Sequence, residues 1–96
     1  MPTKSELLKA RTRSIKSTLR DATQEQKKGH AGISLAENFN KILRDIAEMH
    51  PDLASSLPSE ITWKGPFAQM RMSDVSYLDL EVMVDQVLAL LDLMED

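Results

Sequence analysis

The strongest constraint on this chain of 96 residues lies near its C-terminal end, where Tyr77, Leu80, Val84, Val87, Leu91 and Met94 recur at alternating steps of three and four. That spacing marks one face of an α-helix, and a face so continuously apolar has to be buried. The same segment carries Val75, Leu78, Val82, Met83, Leu88, Leu90 and Leu93 on its other sides, which leaves Asp74, Glu81, Asp85 and Asp92 as the one continuous polar strip. A helix over about 74–94 therefore needs neighbours on several sides. In a chain of this length, which makes one domain and a thin core, part of that cover is expected from outside.

The N-terminal third predicts a second kind of helix. Thr3 and Glu6 have the spacing of a capping box, and Leu8, Thr12, Ile15, Leu19 and Ala22 follow with the narrow seam of a coiled coil. Lys27 and Lys28 suit the negative end of a helix dipole and Gly29 suits its stop, so this helix is expected over 4–28. A short connector leads to Ser34 and Glu37, a second capping-box spacing. Leu35, Phe39, Ile42, Ile46 and Met49 then form one stripe, widened by Ala36 and Leu43, and predict a core helix over 34–50. Pro51 ends it and opens a short helix over 51–57, stopped by Pro58.

Between 58 and 73 the helical period vanishes, although Ile61, Trp63, Phe67, Met70 and Met72 keep the stretch apolar. Glu60 to Lys64 alternates like a short extended segment, but one strand makes no sheet alone. The expectation is a single all-α domain over 1–96. It is a small bundle of three main helices and one short helix, with an aromatic-bearing loop before the C-terminal helix. The helices over 34–50 and 74–94 carry the best stripes and are expected to pack as the core pair. The narrow, charged first helix is expected to project or to complete the bundle with another subunit.

Charge is divided along the chain. Residues 1–30 hold eight basic and three acidic side chains, and the remaining 66 hold four and twelve. On the first helix Lys9, Arg13, Lys16 and Arg20 share a face about 100° from the seam, taking about 100° of rotation per residue. This basic stripe has three readings. It pairs with the acidic strip of the C-terminal helix, within the chain or across subunits, it is a plain solvated face, or it lies along the phosphates of a nucleic acid. The absence of an aromatic beside it and the net charge of -3 favour pairing.

The loop offers a second candidate, because Trp and Arg are enriched among the residues that dominate binding energy, and Trp63, Phe67, Met70 and Arg71 lie close together on this irregular segment. Its other reading is that Trp63 and Phe67 close one end of the core. A third candidate is the seam of Leu80, Val84, Val87, Leu88 and Leu91, expected to join copies of the chain into a homo-oligomer, most simply a dimer.

Catalytic chemistry finds no foothold in the residue pattern. There is no Cys, no His-x-x-x-His spacing around His30 or His50, and no Gly-rich elbow or base beside Ser55, Ser56 and Ser59. No enzyme activity, cofactor or metal is expected. No apolar run is long enough for a membrane span, and the first helix has Thr12 and Ala22 on its apolar side with no Trp or Phe to insert into lipid. These readings converge on a small cytoplasmic assembly or regulatory protein that works through protein contacts. The alternatives are a nucleic-acid-binding accessory protein using the first helix, and a non-catalytic small subunit of an enzyme complex.

Overall fold

The computed structural model describes residues 3–93. It is a small helical bundle, as the periodicities predict, with a minor two-stranded sheet added at one end. Helix α1 spans Lys4–Arg20 and starts where Thr3 Oγ1 accepts the Glu6 N–H at 3.1 Å. It stops eight residues earlier than expected. The cause is local: Thr23 and Gln26 form a reciprocal capping box, which starts a separate one-turn helix α2, Gln24–Lys27. A side chain that caps a new helix at Thr23 cannot sit inside an old one.

Strand β1, His30–Gly32, follows and pairs antiparallel with β2, Met72–Ser76, in the register His30 to Ser76 and Gly32 to Met72. Helix α3, Ile33–Met49, begins directly from β1 without a side-chain cap, so the expected Ser34–Glu37 box does not form. The Ile33 N–H instead donates to the Arg71 carbonyl at 3.1 Å, a partner supplied by the far end of the loop. Pro51–Ser56 is a 3₁₀ turn, where a short helix over 51–57 was expected. After an irregular run comes a second 3₁₀ turn, Pro66–Met70, then β2 and helix α4, Tyr77–Leu93. Ser76 Oγ accepts the Asp79 N–H at 3.1 Å and fixes the start of α4. Met94, the last residue of the expected seam, lies outside the described residues.

The core joins Leu8, Ile15 and Leu19 of α1, Ala36, Phe39, Ile42, Leu43 and Ile46 of α3, and Leu80, Val84, Val87 and Leu91 of α4. Its arrangement corrects the expected pairing. Helix α1 lies closest to both other long helices, whereas the α3 and α4 backbones stay further apart. The narrow seam explains why. Thr12 is fully buried in its middle and returns its hydroxyl to the Leu8 carbonyl at 2.7 Å, so a small, internally satisfied side chain lets α1 settle between the two broader stripes. The helix expected to project or to complete the bundle with another subunit lies between the other two long helices of the chain.

Candidate docking surfaces

The basic stripe of α1 is divided by the fold. Lys9 Nζ lies 3.2 Å from Asp92 and Lys16 Nζ 2.9 Å from Asp85, while Arg13 and Arg20 stay exposed. The two pairs step by seven residues along both helices in opposite directions, which sets α1 and α4 antiparallel in one register. On its other flank α1 is tied to α3 by Arg11 and Asp45 at 2.7 Å. Opposite flanking charges thus mark both neighbours, and the two pairs to α4 also fix its orientation. Energetically the two α4 pairs differ: Lys16 and Asp85 are half exposed and contribute at most about 1 kcal/mol, whereas Lys9 is 3% exposed and its charge needs its partner. Asp74, expected on the acidic strip of the C-terminal helix, lies on β2 instead.

The seam of α4 is likewise taken up inside the chain. Leu80, Val84, Val87 and Leu91 are fully buried within the single molecule and Leu88 is half-buried at the edge. These residues pack in the interior of the single chain. The outward side of the same helix is different. Leu78, Val82 and Leu93 are 63%, 57% and 79% exposed, with Ala89 exposed between them. At their C-terminal end the strip borders a shallow groove of about 300 Å³, walled by Leu57 and Pro58 and floored by Ala89 and Leu90. Helix α4 has two apolar faces, and this fold covers one of them.

The loop between the 3₁₀ turns is pinned from two sides. Asn40, 3% exposed on α3, donates from Nδ2 to the Ile61 carbonyl at 2.8 Å and accepts the Ile61 N–H at Oδ1 at 2.7 Å. One amide side chain thereby satisfies both backbone groups of a buried residue. From the other side Asp74 gathers three of the next four residues: its carboxylate accepts from the Thr62 hydroxyl, from the Lys64 N–H at 3.1 Å and from the Gly65 N–H at 2.9 Å. The Asp74 N–H donates to the Thr62 carbonyl at 2.9 Å. The Thr62 hydroxyl first, then the two N–H groups, hold the Asp74 carboxyl below its ordinary value. Gly65 suits this approach, since a Cβ there would meet Asp74 Oδ1 at 2.8 Å and the carboxylate would have to shift.

With the loop held in this way, its four candidate residues separate. Trp63 is half-buried against the core and walls a polar cleft of about 490 Å³ with Asn40, Lys41 and Arg44. Arg44 is itself engaged with Glu60 at 2.7 Å. Phe67 stacks on the His30 ring at 4.0 Å between centroids and 22° between planes, while His30 Nδ1 lies 2.9 Å from the Ser73 carbonyl. Met70 is 66% exposed, and Arg71 follows it in the left-handed conformation at φ 60° and ψ 34°. For a residue with a Cβ that conformation costs roughly 1–2 kcal/mol.

Asn40, Asp74 in its clamping role and the His30 stack are features that the periodic patterns of the sequence do not single out. Asn40 left a signal: a primary amide set among the apolar positions of the α3 stripe must find buried partners. The His30 stack joins residues 37 positions apart and the Asp74 clamp reaches back nine to twelve residues across an irregular loop, and no periodic pattern announces either. His50, at the end of α3, keeps Nε2 buried without a hydrogen-bond partner among the described residues. Among those residues no three His, Asp or Glu side chains gather as a metal site, and no helix is long and apolar enough to cross a membrane. Comparisons with protein-family models, with curated proteins and with solved structures give no match.

Proposed function

We propose that this chain is a non-enzymatic assembly or regulatory protein that acts through protein–protein contacts. The observation that carries the reading is the second apolar face of α4, where Leu78, Val82 and Leu93 stand in solvent opposite a fully buried seam. Apolar side chains aligned on one helix face are what a partner helix or groove covers, and covering them removes apolar area from water at about 25 cal/mol per Å². Self-association into a dimer is the simplest way to cover this face; a larger partner, including an enzyme for which this chain is a small subunit, does the same. A cysteine-free chain suits the reducing cytosol in which we place it. The nucleic-acid alternative is weakened by the engagement of Lys9 and Lys16 with α4, which leaves Arg13 and Arg20 as the free part of the stripe.

Light scattering behind size-exclusion chromatography tests the reading over a hundredfold range of concentration, with the wild type beside a variant carrying Leu78→Ser, Val82→Ser and Leu93→Ser. The expected result is a particle larger than the monomer, or a stoichiometric complex with a purified partner, that reverts to monomer in the triple variant while helicity stays unchanged. A wild type that is monomeric throughout and whose partner capture ignores the three serines overturns it.

A further inference from the structure

We propose that the turn carrying Phe67, Met70 and Arg71 is a preformed docking knob for an acidic segment of a partner protein, one that sets carboxylates beside an apolar side chain. This rests on the reading of the chain as a protein-contact module, and it assigns partner chemistry to residues other than those of the α4 strip.

Backbone geometry is the first ground. Arg71 is the one residue with a side chain held at positive φ among the described residues. A glycine would close the same turn without strain, so what the strained position supports is the Arg side chain itself. The Arg71 N–H donates to the Ala68 carbonyl at 3.0 Å and the Arg71 carbonyl accepts from Ile33, so its backbone is fixed from both sides.

Charge is the second ground. Between Ile61 and Met72 the charged residues are Lys64 and Arg71, both basic and both exposed, in a chain whose net charge is -3. The nearest carboxylate in sequence, that of Asp74, is occupied by Thr62, Lys64 and Gly65 donors. Met70, which directly precedes Arg71, and Phe67, three residues after Lys64, are 66% and 39% exposed. An exposed guanidinium takes a carboxylate through two parallel hydrogen bonds, and a flexible thioether adapts to an apolar neighbour. Because the Asn40 and Asp74 contacts already hold the loop, binding orders little new chain. Two cations are few for a phosphate backbone, and one face of the Phe67 ring already lies on His30, so the chemistry favours a peptide over a nucleic acid.

The test selects binders from a displayed library of random twelve-residue peptides on the full-length protein, and then compares wild type with Arg71→Gly and Met70→Ser. Arg71→Gly relieves the strained turn, so its thermal midpoint should equal or exceed that of the wild type. The inference expects selected peptides rich in Asp or Glu beside Leu, Phe or Trp, weakened by salt and bound about tenfold less tightly by both variants. It is overturned if selected peptides lack acidic residues or bind Arg71→Gly as well as wild type. A single-stranded oligonucleotide bound by the wild type and lost in Arg71→Gly reassigns the surface to nucleic acid and also overturns it. So does a wild-type dimer that Arg71→Gly dissociates. If the three α4 serines abolish partner capture while Arg71→Gly leaves it intact, the knob fails and the protein-contact reading survives.

Discussion

Replacing Asn40 by Ala removes both hydrogen bonds to Ile61 and leaves the Ile61 N–H and C=O in the interior without partners. Each buried unsatisfied backbone group costs about 1–3 kcal/mol. The two groups together cost about 2–6 kcal/mol, and Ala returns several tenths as the better helix former. Because Ile61 lies on a loop that can relax towards water, a net loss near the low end, about 2–3 kcal/mol, is expected. For a domain of this size, whose whole stability is of the order of 5–10 kcal/mol, that lowers the melting temperature by roughly 10–20 °C. The chain carries its own reporter, because Trp63 lies two residues beyond Ile61. Acrylamide quenching of Trp63 should therefore increase in the variant at temperatures well below global unfolding. Asn40→Asp gives a sharper version. Its carboxylate keeps an acceptor for the Ile61 N–H but faces the Ile61 carbonyl oxygen, so burial and that contact raise its pKa in the folded state above the unfolded value. The folded state then holds the proton more tightly, and the variant should be more stable in acid and weaken as pH rises through the raised pKa. An Asn40→Ala variant that melts within about 2 °C of wild type, with unchanged quenching, would refute the claim that this amide pair holds the loop.

The native Asp74 has the opposite sign. Its folded pKa is depressed, so the clamp on residues 62–65 is complete above the ordinary carboxylate range and should loosen as pH falls through the lowered value. Trp63 quenching titrated from pH 7 towards pH 2 reads this loosening, and Asp74→Asn should abolish the titration. Along the α1–α4 contact, Lys16→Ala should change the urea-derived stability by no more than about 1 kcal/mol, because that pair is half exposed. Lys9→Glu sets a buried carboxylate against Asp92 and should cost about 3–5 kcal/mol, partly recovered by adding Asp92→Lys.

The legible parts of this fold were those written at helical spacing. Phe39, Ile42 and Ile46 announce α3 within a residue at each end, and Leu80, Val84, Val87 and Leu91 announce the buried side of α4. The opposed charges of α1 and α4 were legible as a pairing as well, because stripes at a shared offset imply a shared contact. What the pattern did not carry was position in space. A seam as narrow as that of α1 reads equally as an edge or as a centre, and Thr12 decided for the centre by satisfying its own hydroxyl. The break after Arg20 was written in Thr23 and Gln26, but a capping box inside a favourable periodic run is easily read as more helix. Strand β1 is three residues long, and its partner lies some forty residues away, so the sheet and the loop it positions had no local signature. Of the candidate surfaces, the second apolar face of α4 was visible as an excess of apolar residues, although the side facing outward was not.

The antiparallel register of α1 and α4 also decides how the molecule bears tension. Lys9 beside Asp92 and Lys16 beside Asp85 bring the start of α1 and the end of α4 to one pole, while the Tyr77 N–H to Gly29 carbonyl bond and the β1–β2 ladder close the opposite pole. A pull applied through both ends of the described chain therefore acts across the two helices rather than along them. It peels them apart one layer of side chains at a time, from the Lys9 end towards the sheet, as a zipper opens. Tension of that kind meets small resistances in sequence instead of one large resistance at once, so the molecule should yield gradually at its open pole and give way at the ladder last.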